Sequence, residues 1–139
     1  MSRTLALDVG ERRIGVAISD PTGVIALPLL VIARRAWAMD LARVAALVRQ
    51  HAVERIVVGY PLTLAHRRSA QTERVDRFVV RLRQAVGVPV ETWDERLTTA
   101  EAERVLVAAD LRRERRRRVR DAVAAALLLQ GYLDRRRDA

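Results

Sequence analysis

The chain has 139 residues, 50% of them hydrophobic, and no cysteine; a single domain spanning residues 1–139 is expected, without disulfides or thiolate metal sites. All 26 basic residues are arginine and they outnumber 17 acids, giving a net charge of +9 that suits a polyanionic partner. No apolar run approaches the roughly 18 residues of a membrane span, and the N-terminus lacks the shape of a signal peptide. A cytoplasmic protein without a membrane partner is therefore expected.

Thr4 to Val9 reads as a buried strand with Leu5, Leu7 and Val9 on one face. Gly10-Glu11-Arg12-Arg13 is a turn, and Ile14, Val16 and Ile18 alternate through a second strand. Asp20-Pro21-Thr22-Gly23 signals another turn before a third strand from Val24 to Ile32, where Pro28 argues for a sheet edge or a bulge. Trp37, Leu41, Val44, Ala45 and Val48 predict an amphipathic helix over 37–50. Arg55 to Gly59 reads as a buried strand, and residues 62–70 as a polar loop. Val75, Phe78, Val79, Leu82 and Val86 mark a second helix ended by Gly87, followed by a fifth strand from Val88 to Trp93. Thr98 with Glu101 forms a capping box before a helix to about Ala109, and a last helix is expected from about Arg120 to Asp134. The charged stretches Arg112 to Arg120 and Arg135 to Asp138 are expected to be locally mobile. The order β-β-β-α-β-α-β-α-α predicts an α/β fold: a mixed five-stranded sheet flanked by helices.

Three sets of acids could carry chemistry. Asp8 ends the first strand beside Gly10, where a missing side chain would let a phosphate or metal approach. Asp94 and Glu95 follow the fifth strand; alternation points them to opposite faces, so only one can easily face Asp8. Asp121 opens an otherwise apolar helix and shares a face with Ala125 and Leu128. Each acid alone could be a turn former, a solvated strand end or a helix-start acid favoured by the helix dipole. Together they suit phosphodiester hydrolysis, which needs converging carboxylates to hold two divalent cations about 4 Å apart. With no cysteine and only His51 and His66, such cations would be hard and oxygen-bound, namely Mg2+ or Mn2+.

Residues 112–120 contain seven arginines and directly precede Asp121. Arg112, Arg113, Arg115, Arg116, Arg117, Arg118 and Arg120 are candidates for holding a phosphate backbone beside the metals, as are Arg12, Arg13 and Arg96. Aromatic residues make up 4% of the chain, so readout by base stacking is weak.

Several blocks resemble the YqgF/RuvX family. They are Leu7-Asp8-Val9-Gly10, Arg13-Ile14-Gly15-Val16-Ala17, Ser19-Asp20 and Val57-Val58-Gly59-Tyr60-Pro61-Leu62. Asp94-Glu95-Arg96-Leu97-Thr98-Thr99, Asp121-Ala122-Val123-Ala124-Ala125 and Leu128-Leu129-Gln130-Gly131-Tyr132-Leu133 follow in order. The resemblance implies a ribonuclease H-like fold related to Holliday-junction resolvases, and a nuclease that matures the 5′ end of 16S ribosomal RNA precursors. It implies metal-binding, catalytic acids at Asp8, the Asp94/Glu95 pair and Asp121. Two departures stand out. The loop Thr63 to Ser69 lacks the glycine of family members, and Gly59-Tyr60-Pro61 fill the place where resolvase relatives carry an acid at the end of the fourth strand. The second acid must then come from the fifth strand, roughly 5 Å further across the sheet.

RNA is the preferred partner and branched DNA the alternative. Junction resolution needs two symmetric sites and would favour a homodimer. A non-catalytic RNA-binding assembly factor is the competing reading from another class, in which Asp8→Ala would leave function intact. A sugar-kinase-like ATPase needs two such domains, more than 139 residues supply.

Overall fold

The structure, a computed structural model, describes residues 3–61, 69–94 and 113–137, the side chains of 113–119 and 137 excepted. Strands β1 (Arg3–Val9), β2 (Arg13–Ser19) and β3 (Ala26–Ala33) form an antiparallel meander. Helix α1 (Trp37–Gln50) leads to β4 (Val53–Tyr60), and α2 (Ala70–Ala85) to β5 (Val90–Asp94). Both β4 and β5 join in parallel, and the sheet order is β3-β2-β1-β4-β5. Helix α3 (Arg113–Arg137) closes the described chain. This is the mixed five-stranded α/β sheet read from the sequence.

Pro28 meets both readings made of it. β3 is an edge strand, and its register against β2 shifts between Val16 and Ala17, opposite the proline. Elsewhere the sequence's boundaries move a little. Ser69 is not loop but the N-cap of α2, in a reciprocal capping box with Thr72, and Ala70 is already helical. The largest difference is α3, which begins at Arg113, not near Arg120. The arginine run has no apolar periodicity to betray a helix, yet its backbone continues the helix that carries Asp121. The helix expected over 98–109, the loop from 62 to 68, Glu95, Arg96 and Arg112 lie outside the described residues.

Strand alternation sorts side chains into two layers. Leu5, Leu7, Val9, Ile14, Val16, Ile18, Ile56 and Val58 face α1 and α2, whose Val44, Leu47, Val75, Phe78, Val79 and Leu82 complete that core. Burying each of the larger aliphatic chains contributes about 1.5–3 kcal/mol. On the opposite face Ala6, Ala17 and Val57 meet Ala125, Ala126, Leu128, Leu129, Tyr132 and Leu133 of α3. The helix is anchored far from Asp121 by Gln130. Its side chain accepts from Ala26 N at 2.9 Å and donates to Val24 O at 3.0 Å, tying α3 to the start of β3.

Among the described residues no helix is long and apolar enough to cross a membrane.

Candidate active site

Asp8 is the penultimate residue of β1, on the strand face of Ala6, and so it points toward the α3 side of the sheet. Directly across the antiparallel ladder lies Gly15. A Cβ built on Gly15 would lie 1.8 Å from the backbone oxygen of Asp121 and 2.3 Å from its carbonyl carbon. The backbone of α3 thus rests on β2 at this point, which only glycine allows. This close approach sets Asp121 beside the strand position neighbouring Asp8. Two acids that are 113 residues apart in sequence, 121 less 8, are thereby brought to one face near the carboxyl end of β1.

Arg13, two residues before Gly15 on the same face, donates its Nε to Oδ2 of Asp121 at 2.7 Å. The two side chains are 58% and 26% exposed, so solvent screens the pair, and its contribution to stability is about 0–1 kcal/mol. Its importance is positional. A guanidinium next to the acids can receive a phosphate oxygen in the bidentate manner arginine favours.

Gly10 answers a different need from the one its position suggests. Its N–H donates to Arg13 O at 2.8 Å, and a Cβ there would lie 2.8 Å from that same oxygen. The glycine closes the β1–β2 turn. The close approach that brings the acids together is at Gly15.

Strand register assigns Asp94 to the other face. It is in register with Tyr60, whose hydroxyl donates to Asp76 of α2 at 3.3 Å, so alternation turns Asp94 to the α2 side. The neighbours Glu91 and Trp93 take the α3 side. There Tyr132 donates to Glu91 and meets Trp93 edge-on at 5.4 Å. Arg55 and Arg136 donate to the same hydroxyl at 3.0 and 2.9 Å. Burial first, then the Glu91 carboxylate, raises the Tyr132 hydroxyl above its ordinary pKa, so it stays a proton donor. This cluster pins the far end of α3 and thereby its angle at Asp121.

Among the described residues no three metal-capable side chains form a group. Asp8 lies across the ladder from Gly15, and the Asp121 backbone rests on that glycine; Glu95 lies outside the described residues. Arg12 and Arg120 are exposed, as binding to phosphate requires.

The family profile described as "RuvX: Holliday junction resolvase" matches residues 2–135. The chain belongs to the RuvX family. Among its relatives, a Moorella thermoacetica protein is 52% identical over 96% of this chain and 95% of its own length. One from Desulforudis audaxviator is 50% identical over 97% and 96%. Both carry the name pre-16S rRNA nuclease. Of solved structures, Thermus thermophilus RuvC in complex with a Holliday junction superposes with a TM-score of 0.63 at 17% identity, over 97% of this chain and 96% of that one. The fowlpox virus Holliday junction resolvase gives 0.59 at 14%, over 96% and 99%. The fold is therefore ribonuclease H-like, and this RuvX-family chain is a nuclease, a hydrolase that acts on nucleic acid.

Three features of the RuvX-family site escape a reading of the sequence for acids alone: the close approach at Gly15, the Arg13–Asp121 pair and the Tyr132 anchor. Gly15 had a signal, since a lone glycine between Ile14 and Val16 in a strand marks a close backbone approach. The other two pair residues 108 and 41 positions apart and leave no local trace.

Proposed function

We propose that this chain is a divalent-metal-dependent nuclease, using Mg2+ or Mn2+, that processes the 5′ end of the 16S ribosomal RNA precursor in the cytoplasm. The observation that carries the reading is the convergence of Asp8 and Asp121 on one face across Gly15. Both donors are hard carboxylate oxygens, as a hard divalent cation requires. The third acid is Glu95. Strand register pairs Asp94 with Tyr60 and turns it toward α2, which leaves Glu95 as the member of the adjacent pair assigned to the metals in this reading. When bound, such cations lower the pKa of the attacking water and neutralise charge at the leaving oxygen.

The chain's own residues then have distinct tasks. Asp8, Glu95 and Asp121 provide the negative charge that holds the cations. Arg13 orients the Asp121 carboxylate and offers its exposed guanidinium to a phosphate oxygen. The arginines that open α3 precede Asp121 in one continuous helix, so a phosphate backbone held along them is led toward the acids. Ribosomal RNA precursor is favoured as substrate because relatives 44–52% identical over nearly the whole chain carry that name.

A second reading, resolution of four-way DNA junctions by a homodimer, has the family's description and the RuvC likeness in its favour. One experiment separates them. Purified protein is incubated with end-labelled RNA spanning the 5′ leader of 16S RNA, and with four-way junction DNA, in Mn2+, Mg2+ or EDTA. Cleavage of the RNA alone, abolished by EDTA, is expected. Symmetric nicking of the junction with intact RNA would reverse the choice. Cleavage that survives EDTA would remove the metal.

A further inference from the structure

On the α1/α2 side of the sheet, a cleft of about 540 Å³ opens between the β3–α1 connection and the N-terminal turns of α2. Its lining includes Glu11, Arg34, Arg35, Asp40, Arg74 and Arg77. Two of these charges cancel. Asp40, 2% exposed, accepts from Arg34 Nε at 3.5 Å and from the backbone N–H of Arg35 at 3.1 Å. Arg34 also donates to Gly10 O at 3.1 Å and stacks over Trp37 at 5.1 Å. Both serve the fold.

Arg35, Arg74 and Arg77 are different. Their guanidinium groups have no acceptor among the described residues, and one exposed acid, Glu11, faces them in the lining. Arg74 and Arg77 stand three residues apart on α2, which places like charges side by side on one helix face, an unfavourable arrangement. Arg35 immediately precedes Ala36, the N-cap of α1, which provides no side-chain cap. A cation near the positive end of a helix dipole is unfavourable as well. The same chain keeps its half-buried Arg34 neutralised, yet leaves three cations gathered around one concavity. A bound polyanion would relieve each of these repulsions.

The cleft also adjoins the proposed catalytic turn. Arg34 N donates to Arg12 O at 2.9 Å, its guanidinium holds Gly10 O, and Glu11 lies in the lining. The cleft is therefore fixed to the turn that directly follows Asp8, but on the opposite side of the sheet from Asp121.

We propose that Arg35, Arg74 and Arg77 form a second binding site for the phosphodiester backbone of the RNA substrate, gripping the strand after it crosses the β1–β2 turn from the Asp8–Asp121 face. This inference rests on the nuclease reading. It adds a grip on the α1/α2 side to that of the arginines opening α3, so the bound strand is held on both sides of the sheet.

The test is fluorescence anisotropy with a labelled single-stranded RNA of about 30 nucleotides, at several salt concentrations, using the whole chain and its R74A/R77A double variant. Both carry Asp8→Asn so that the probe survives. The double variant is expected to bind more weakly. The slope of log K against log salt should flatten by about 1.4, at roughly 0.7 for each phosphate of a single strand that an arginine no longer neutralises. Arg74→Lys/Arg77→Lys, which keeps the charge, should restore most of the slope. The melting temperature of the double variant without RNA should equal or exceed that of the parent, because a like-charge pair has been removed. An unchanged slope with an unchanged melting temperature would overturn the proposal. So would a lowered melting temperature with an unchanged slope, which would make the arginines structural. A mononucleotide that stabilises the parent but not the double variant, with the RNA slope unmoved, would overturn it in favour of a small-anion site. The outcomes separate from those of the nuclease reading: RNA binding that depends on Arg74 and Arg77, with no metal-dependent cleavage by the chain that keeps Asp8, would sink that reading and leave the cleft standing.

Discussion

The face of the sheet under α1 and α2 is built from large aliphatic side chains, and the face under α3, near Asp121, from alanine and glycine. The first face keeps helices at side-chain distance and holds the larger cluster of buried apolar residues. The second lets a helix backbone touch a strand, with the Asp121 oxygen where a Cβ of Gly15 would sit. The chain thus separates its tasks by side-chain size. Bulk stabilises one face, and the lack of it positions carboxylates on the other. Substitutions should divide the same way, into those that lower stability and those that lower activity.

The sharpest break should come at the acids. Asp8→Asn and Asp121→Asn are each expected to reduce cleavage roughly 10³-fold or more, since ligands of one metal cluster act as a unit. Their melting temperatures should stay close to the parent's, as calorimetry would show. Near-normal cleavage by either variant would end the two-carboxylate reading of the α3 face.

Next in size is the contrast between adjacent acids. Glu95→Gln is expected to lower both turnover and Mn2+ affinity by at least about tenfold, the range seen when groups around a metal are removed. Asp94→Asn, facing α2, should change Mn2+ affinity far less. Isothermal titration with Mn2+ checks this, and equal effects would mean that alternation fails at the end of β5.

A pair of small substitutions compares the two faces directly. Gly15→Ala adds one methyl where α3 touches β2, and should cost about 1–3 kcal/mol through overpacking while also displacing Asp121 and reducing cleavage per folded molecule. Ile56→Val removes one methyl from the other face, and should cost about 0.5–1.5 kcal/mol with cleavage per folded molecule unchanged. Denaturant melts and rates normalised to folded protein give both numbers.

The smallest effect belongs to neither face. Asp20 closes the β2–β3 turn by accepting the N–H groups of Val24 and Ile25 and the hydroxyl of Thr22. The Ile25 bond first, then that of Thr22, lowers its pKa from 3.8 to about 2. A depressed folded-state pKa stabilises above the unfolded value and loses that contribution as pH falls through the folded one. The melting-temperature gap between the parent and Asp20→Asn should therefore be constant above about pH 4 and close toward pH 2. A gap independent of pH would assign the effect to the turn's shape alone.

The meander, α1 and both parallel strands were legible because hydrophobic period 2 and period 3.6 are local properties. Pro28 was legible for the same reason: a missing N–H excludes a central strand. The length of α3 was not, since seven arginines within 112–120 offer no apolar stripe to read. Of the site, the acids could be named from their strand and helix ends. Which way Asp94 turns depends on the phase of β5, fixed by the register Gly59 to Trp93 and Tyr60 to Asp94. That register is set by packing across the sheet, and no pattern within β5 encodes it. Arg13 could be named as a phosphate ligand from charge, but its attachment to Asp121 depends on where α3 lands.

The shifted register at Pro28 also governs how the molecule treats its own copies in a crowded solution. An open sheet edge invites another strand to add to it, and repeated addition ends in fibrous aggregates. β3 is such an edge, and Ile25 just before it and Leu27 within it are 53% and 47% exposed, an apolar invitation to a neighbour. Yet Pro28 has no N–H to give, and the break in spacing next to it denies a second strand an even row of partners. The chain carries at this rim a built-in stop against sheet growth.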